Sequence, residues 1–186
     1  MLAYVSWHSP AVPERAPQYE ERLAAFHRAL QTVKPDGFLR SMAYRVHDGT
    51  WLPGAPGYED WYEVADWAAL GVLNATAVSA SVGPDHDAVA ELAGGGAGGL
   101  YGLLRRASTD PASHTLAVWA IKPRHVSYPD FVARLEMFPA DCALWQRQMV
   151  LGPAPEFCVA GPERLIRELE VPSQWQPQLV HRAPIF

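Results

Sequence analysis

Tyr58–Val78, YEDWYEVADWAALGVLNATAV, is the stretch on which the reading of the fold turns. Its first half alternates side-chain type as a strand does. Its second half places Trp67, Leu70, Leu73, Asn74, Ala77 and Val78 along one helical stripe, so the periodicity changes from two to 3.6. The stretch is therefore a β-to-α join. Trp61 and Tyr62 fall on the strand and Asn74 on a helix that packs back over the same sheet, which makes this join the first place to look for a pocket.

Working outward toward the N-terminus, Leu2 to His8 reads as a first strand, ended by Pro10 and Pro13. A helix beginning near Pro17 carries Tyr19, Leu23, Phe26, Leu30 and Val33 on one face, and Pro35-Asp36-Gly37 stops it. Phe38 to His47 alternates as a second strand, followed by a loop rich in Gly and Pro from Asp48 to Gly57. Downstream of the join, Asp85 is a candidate N-cap for a helix through Leu92. The run Ala93 to Gly99, AGGGAGG, reads as a flexible connector before a fourth strand, Leu100 to Arg106. The first half is thus β-α-β-β-α-β.

Residues 107–114 form a polar linker with Asp110-Pro111, and beyond it the order recurs. Thr115 to Lys122 is a strand, and a helix opens at Ser127 or Tyr128 with Pro129 in its first turn. Ala143 to Leu151 and Phe157 to Ala160 are strands, Pro162 to Glu170 is a helix, and Gln178 to Ile185 is a last strand. The expected fold class is α+β. It has two ferredoxin-like halves, 1–106 and 115–186, each a split βαβ unit with helices over one sheet face. Their open faces are expected to close against each other in a dimeric-α/β-barrel-type arrangement, a barrel that covers apolar surface and shortens the exposed edges.

The composition sets outer bounds. The 186 residues are 49% apolar and 19% charged, with seven Trp, seven Tyr and six Phe, which is enough for a large aromatic core and argues against disorder. A formal charge of -5 with 15 scattered Lys and Arg excludes a basic stripe for phosphate backbones, so no nucleic-acid partner is expected. MLAYVSWHSP lacks the charged and apolar regions of a secretory signal, and no apolar run reaches the length of a membrane span. Cys142 and Cys158 lack a CxxC spacing and read as buried thiols in a reducing cytoplasm.

With both halves in view, the arrangement resembles the dimeric α/β-barrel superfamily in fused, tandem form. The resemblance is carried by YEDWYEVADWAALGVLNATAV, an aromatic-acidic strand running into an Ala-Leu helix, and by the strand-helix opening at Ala3 to Val33. That superfamily includes cofactor-free monooxygenases, haem-degrading enzymes, isomerases and members without assigned activity. Its haem-degrading members use an Asn on the first strand and a Trp, then a His, on the second helix. Here the first strand offers Trp7 and His8 instead, Leu73 stands near the Trp position, and His86 lies beyond the Gly83-Pro84 break. Haem degradation is therefore not expected.

The candidate ligand-binding residues are Trp7, His8, Trp61, Tyr62, Asn74 and His86. Period two groups Tyr4, Ser6 and His8 on one side of the first strand. On the third it separates Tyr58, Asp60 and Tyr62 from Glu59, Trp61 and Glu63. Which set faces the helices stays open at this level. Inward-facing Glu59 and Glu63 are expected to pair with Arg40, Arg45 or Arg147, because charges taken out of water need partners. His27 reads as bordering the helix–sheet interface. The seven histidines form no metal-ligand spacing, and the glycine run lacks the GK[ST] ending of a phosphate loop, so neither a metal nor a cofactor is expected. The leading expectation is a cytoplasmic protein, monomer or homodimer, that binds an apolar small molecule, as a cofactor-independent monooxygenase or isomerase with no catalytic residue assigned. The other is a non-catalytic binding or structural barrel.

Overall fold

The computed structural model describes residues 1–52, 54–149 and 154–186. Eight strands are present among them: β1 (Leu2–Pro10), β2 (Phe38–His47), β3 (Gly57–Val64), β4 (Ala93–Arg105), β5 (Leu116–Ala120), β6 (Ala143–Met149), β7 (Phe157–Gly161) and β8 (Gln178–Pro184). Five α-helices accompany them: α1 (Ala16–Val33), α2 (Trp67–Ala77), α3 (Gly83–Ala90), α4 (Tyr128–Leu135) and α5 (Glu163–Ile166).

Local chemistry explains most of the boundaries. Asp66 caps α2 by accepting from the Ala69 N–H at 3.0 Å, and Ser127 caps α4 by accepting from Asp130 N–H at 3.2 Å. Gly37, at φ +75°, makes the turn from α1 into β2, and a Cβ there would lie 2.4 Å from the Ala69 Cβ. Only glycine lets α2 sit this close to the turn. Asp85 is not the N-cap of α3, which starts at Gly83 with Val82 in the capping position. The last helix is shorter than its apolar pattern suggests, and the end of the expected strand from Ala143, at Val150 and Leu151, lies outside the described residues.

The strands join in the order β1-β3-β2-β8-β5-β7-β6-β4 and close into one barrel, every neighbouring pair antiparallel. This corrects the expected tandem of ferredoxin-like β-α-β-β-α-β halves. Tyr44 to His47 of β2 ladder onto Pro184 to His181 of β8, and Leu100 to Arg105 of β4 onto Met149 to Leu144 of β6. Hydrogen bonds therefore run across both seams, and no half keeps a sheet of its own. The helices are unequal as well, three before residue 107 and then α4 with the four-residue α5. The order of elements along the chain records local periodicity. Whether a sheet ends or joins another is decided by edge strands seeking ladder partners far away in sequence.

All eight strands contribute to the central core, which contains Trp7, Trp51, Trp61, Tyr101, Trp119 and Trp145. An eight-stranded barrel is just wide enough for side chains to fill or for one small ligand. Outside it, Leu2, Phe26, Leu30, Val64 and Leu73 pack α1 and α2 on the first strands, and Phe131, Phe157 and Trp175 are in the core cluster beneath α4.

The glycine run is not a connector. Gly95 to Gly99 are paired strand residues, with Gly96 opposite His8 and Gly98 opposite Ser6. Their missing side chains leave room above β4 on the helix side of the barrel wall.

Candidate functional site

That room is part of a cavity of about 1140 Å³ between α1, α2 and α3 and the outer face of β1, β3 and β4. Apolar walls come from Leu23, Phe26 and Leu30 of α1 and from Leu70 and Leu73 of α2. Gly96 and Gly98 form a flat side-chain-free wall, and Tyr4 lies across Gly98, where a Cβ would meet the Tyr4 hydroxyl at 2.7 Å.

At the floor stands a polar cluster. The register Tyr4↔Tyr62, Ser6↔Asp60 and His8↔Tyr58 puts these six side chains on the same face of the sheet, toward the helices. Asp60, 2% exposed, accepts a hydrogen bond from the Tyr62 hydroxyl at 2.9 Å. His8 Nε2 approaches the same oxygen at 2.9 Å and His27 Nε2 at 3.5 Å. The His8 contact is close in distance but off the line of a hydrogen bond, so it acts as an electrostatic contact. On its other side, His8 Nδ1 is 2.6 Å from the Tyr19 hydroxyl. Burial opposes ionisation of Asp60, but attraction to His8 and His27 outweighs it and holds the carboxyl well below the usual carboxylate range. Burial, with Asp60 and Tyr58 adding to it, pushes the Tyr19 phenol well above its ordinary range.

An ionised Asp60 beside Nε2 favours the His8 tautomer that carries its proton there, which leaves Nδ1 free to accept from Tyr19. The result is a chain from Asp60 to His8 to Tyr19, ending at a phenol on the cavity wall. Chemically, it can accept a proton from a bound molecule and stabilise the imidazolium that forms.

The structure divides the candidate residues named from sequence. His8, Tyr62, Asn74 and His86 all line this cavity, His86 with its ring 5.7 Å from that of Phe26. Trp7 and Trp61 do not, because both point into the barrel, where their indole N–H groups donate to Glu59 at 2.8 and 2.7 Å. Adjacent strand residues face opposite ways, so Trp7–His8 and Trp61–Tyr62 are each split by the pleat. His27 does border the helix–sheet interface and is fully buried, its Nδ1 2.8 Å from Ser41 Oγ.

Sequence reasoning left out Asp60, Tyr19 and the glycine wall. Asp60 carried a signal in its grouping with Tyr58 and Tyr62, but both faces of β3 are buried and alternation could not choose between them. Of the expected ion pairs, Arg40 binds Glu63 through two bonds of 2.8 and 3.0 Å. Arg45 instead binds Glu20 on the outer surface, and Glu59 pairs with Arg182 at 2.5 Å. Both cysteines are buried and unbridged. Among the described residues, no group of three His, Cys, Asp or Glu is arranged to hold a metal ion, and no helix is long and apolar enough to cross a membrane.

No family model and no curated protein matches the sequence. Solved structures do resemble the fold. A "Putative monooxygenase" from Fusobacterium nucleatum subsp. nucleatum ATCC 25586 superposes with a TM-score of 0.65 at 9% identity, covering 100% of this chain and 92% of that one. A second "putative monooxygenase", from Lactobacillus acidophilus NCFM, gives 0.59 at 8% identity, covering 100% and 94%. An "anthrone oxidase-like protein" gives 0.54 at 9% identity, covering 98% and 91%. At these identities the likeness establishes a shared fold.

Proposed function

We propose that this protein is a cofactor-independent monooxygenase that oxidises a flat, apolar, fused-ring substrate carrying an acidic C–H or phenolic proton. The observation that carries the reading is the Asp60–His8–Tyr19 chain at the floor of an apolar cavity of about 1140 Å³. Apolar pockets with a few convergent polar groups are the usual form of small-molecule sites. The glycine wall suits a ring system laid flat against backbone, and the names of the structural neighbours suit the same chemistry.

In this reading Tyr19 takes the substrate proton and passes its own to His8 Nδ1, and Asp60 stabilises the imidazolium. The resulting carbanion is electron-rich enough to reduce dioxygen. For a methylene between two aryl rings, one oxygen atom ends in the new carbonyl and the other leaves as water with the two methylene hydrogens. The apolar helices exclude bulk water from the anion.

The test is oxygen uptake with anthrone as the probe substrate. Wild-type protein is expected to consume oxygen and form the quinone, and His8→Ala to lower turnover by roughly 10²- to 10⁴-fold, the usual contribution of a positioned acid–base group. Wild-type turnover in His8→Ala would sink the assignment.

A second reading is a non-catalytic binding barrel. What favours it is that His27 bonds Ser41 and Tyr62 bonds Asp60 within one buried cluster, as polar groups of a structural core do. It predicts anthrone binding without oxygen uptake.

A further inference from the structure

A second cavity, of about 160 Å³, lies inside the mouth of the barrel, on the opposite face of β3. Its walls are apolar and aromatic: Met42, Tyr44, Trp61, Leu103, Trp145 and Ala160. Into the same space come three guanidinium groups, Arg40, Arg106 and Arg182, together with Glu63, His114 and Thr109. Two of the cations are balanced. Arg40 is held by Glu63, and Arg182 by Glu59 behind it.

The third, Arg106, is exposed at the rim; it donates to the Met1 sulfur at 3.1 Å and shares the field of Glu63 with Arg40, without a close ion pair of its own among the described residues. Arg182 is 5% exposed, and its Nε is buried without a hydrogen-bond partner among the described residues. The Cζ of Arg182 lies 5.4 Å from the Tyr44 ring centre and 5.2 Å from that of Trp61, so its plane is fixed. The mouth thus presents one net positive charge, from three guanidinium groups against Glu63 and Glu59, beside an apolar chamber.

We propose that the barrel mouth is a binding site for a small organic monoanion, a carboxylate with an apolar body of about the size of benzoate. The carboxylate sits against the Arg106 and Arg182 guanidinium groups, and the ring lies among Met42, Leu103 and Trp145. A void of roughly 150 Å³ is known to hold one benzene ring, so the volume suits this class and no larger one. Guanidinium–carboxylate bonds supply the specificity. His114 stays neutral at pH 7, since burial, with Arg182 and Arg40 nearby, pushes its pKa down to about 4; it adds no competing charge. The site is separate from the helix-side cavity and does not depend on the function proposed there.

The experiment titrates benzoate into ¹⁵N-labelled protein and follows the tryptophan indole N–H signals. Trp61 and Trp145 line the mouth, whereas Trp67 lines the other cavity. Saturable shifts of Trp61 and Trp145 with Trp67 unmoved are expected. Benzamide should give none, and Arg106→Gln, at an exposed position that the fold tolerates, should weaken benzoate binding by roughly tenfold or more. The assignment is overturned if benzoate produces no saturable shift, if only Trp67 responds, if benzamide binds equally well, or if Arg106→Gln leaves the affinity unchanged.

Discussion

Glu59 has zero exposure at the centre of an aromatic barrel, yet it meets three donors, the indoles of Trp7 and Trp61 and the Arg182 guanidinium. Removing one member of a buried pair strands the other, whereas replacing both with apolar groups of similar volume is tolerated far better. Glu59→Gln should therefore cost about 3–5 kcal/mol in a urea titration, and the double variant Glu59→Leu/Arg182→Met should recover much of that loss. A double variant less stable than Glu59→Gln would mean that the pair stabilises the barrel outright. The pleat makes the same argument for the site on the other face. Asp60 is one residue away from Glu59, faces the helices, and lies against two histidines rather than an arginine. The chemistry at β3 is set by which way each side chain points.

At the scale of elements, β4 is the unusual strand. Glycine is disfavoured within strands because it loses backbone entropy and has nothing to pack, but here the pairing with β1 holds Gly95 to Gly99 in place and the gap becomes a cavity wall. Gly98→Val tests this. Its Cβ would meet the Tyr4 hydroxyl, Cε2 and Cζ at 2.7, 2.8 and 3.0 Å, and the half-exposed end of that ring can swing into the cavity. The variant should keep its fold by circular dichroism and lose anthrone uptake by roughly tenfold, since each 1.4 kcal/mol of lost contact is a factor of ten. Undiminished uptake would mean the ligand does not lie on β4. The helix α2 was legible from its apolar stripe. Of β4 only the Leu100 to Arg106 end was legible; Ala93 to Gly99 was not, because a glycine run has no alternation to read and carries turn propensity in isolation.

For the whole molecule, closure of the barrel has a consequence in pH. His114 is buried beside Arg182 and Arg40, and its pKa falls to about 4 from an ordinary 6.5. Below pH 6.5 the unfolded chain takes up a proton that the folded chain refuses, so stability is lost as pH falls from 6.5 and the loss is complete near pH 4. The full effect is up to about 3 kcal/mol, measurable by urea titrations at pH 7.5 and 4.5, and His114→Gln should flatten the slope in that window. A slope unchanged in His114→Gln would assign it to other groups. Residue patterns alone sufficed for what depends on neighbours in the chain: the strands of β1, β2 and β3 and the stripes of α1 and α2. Tertiary structure decided the rest. It joined eight strands into one closed barrel where two ferredoxin-like halves were expected, paired Glu59 with an arginine 123 positions away (Arg182), and turned Trp7 and Trp61 inward. The physical reason is that period two sorts a strand into two faces without saying where each face looks. Only the partner strands and the helices above them, all distant in sequence, give those faces an inside and an outside.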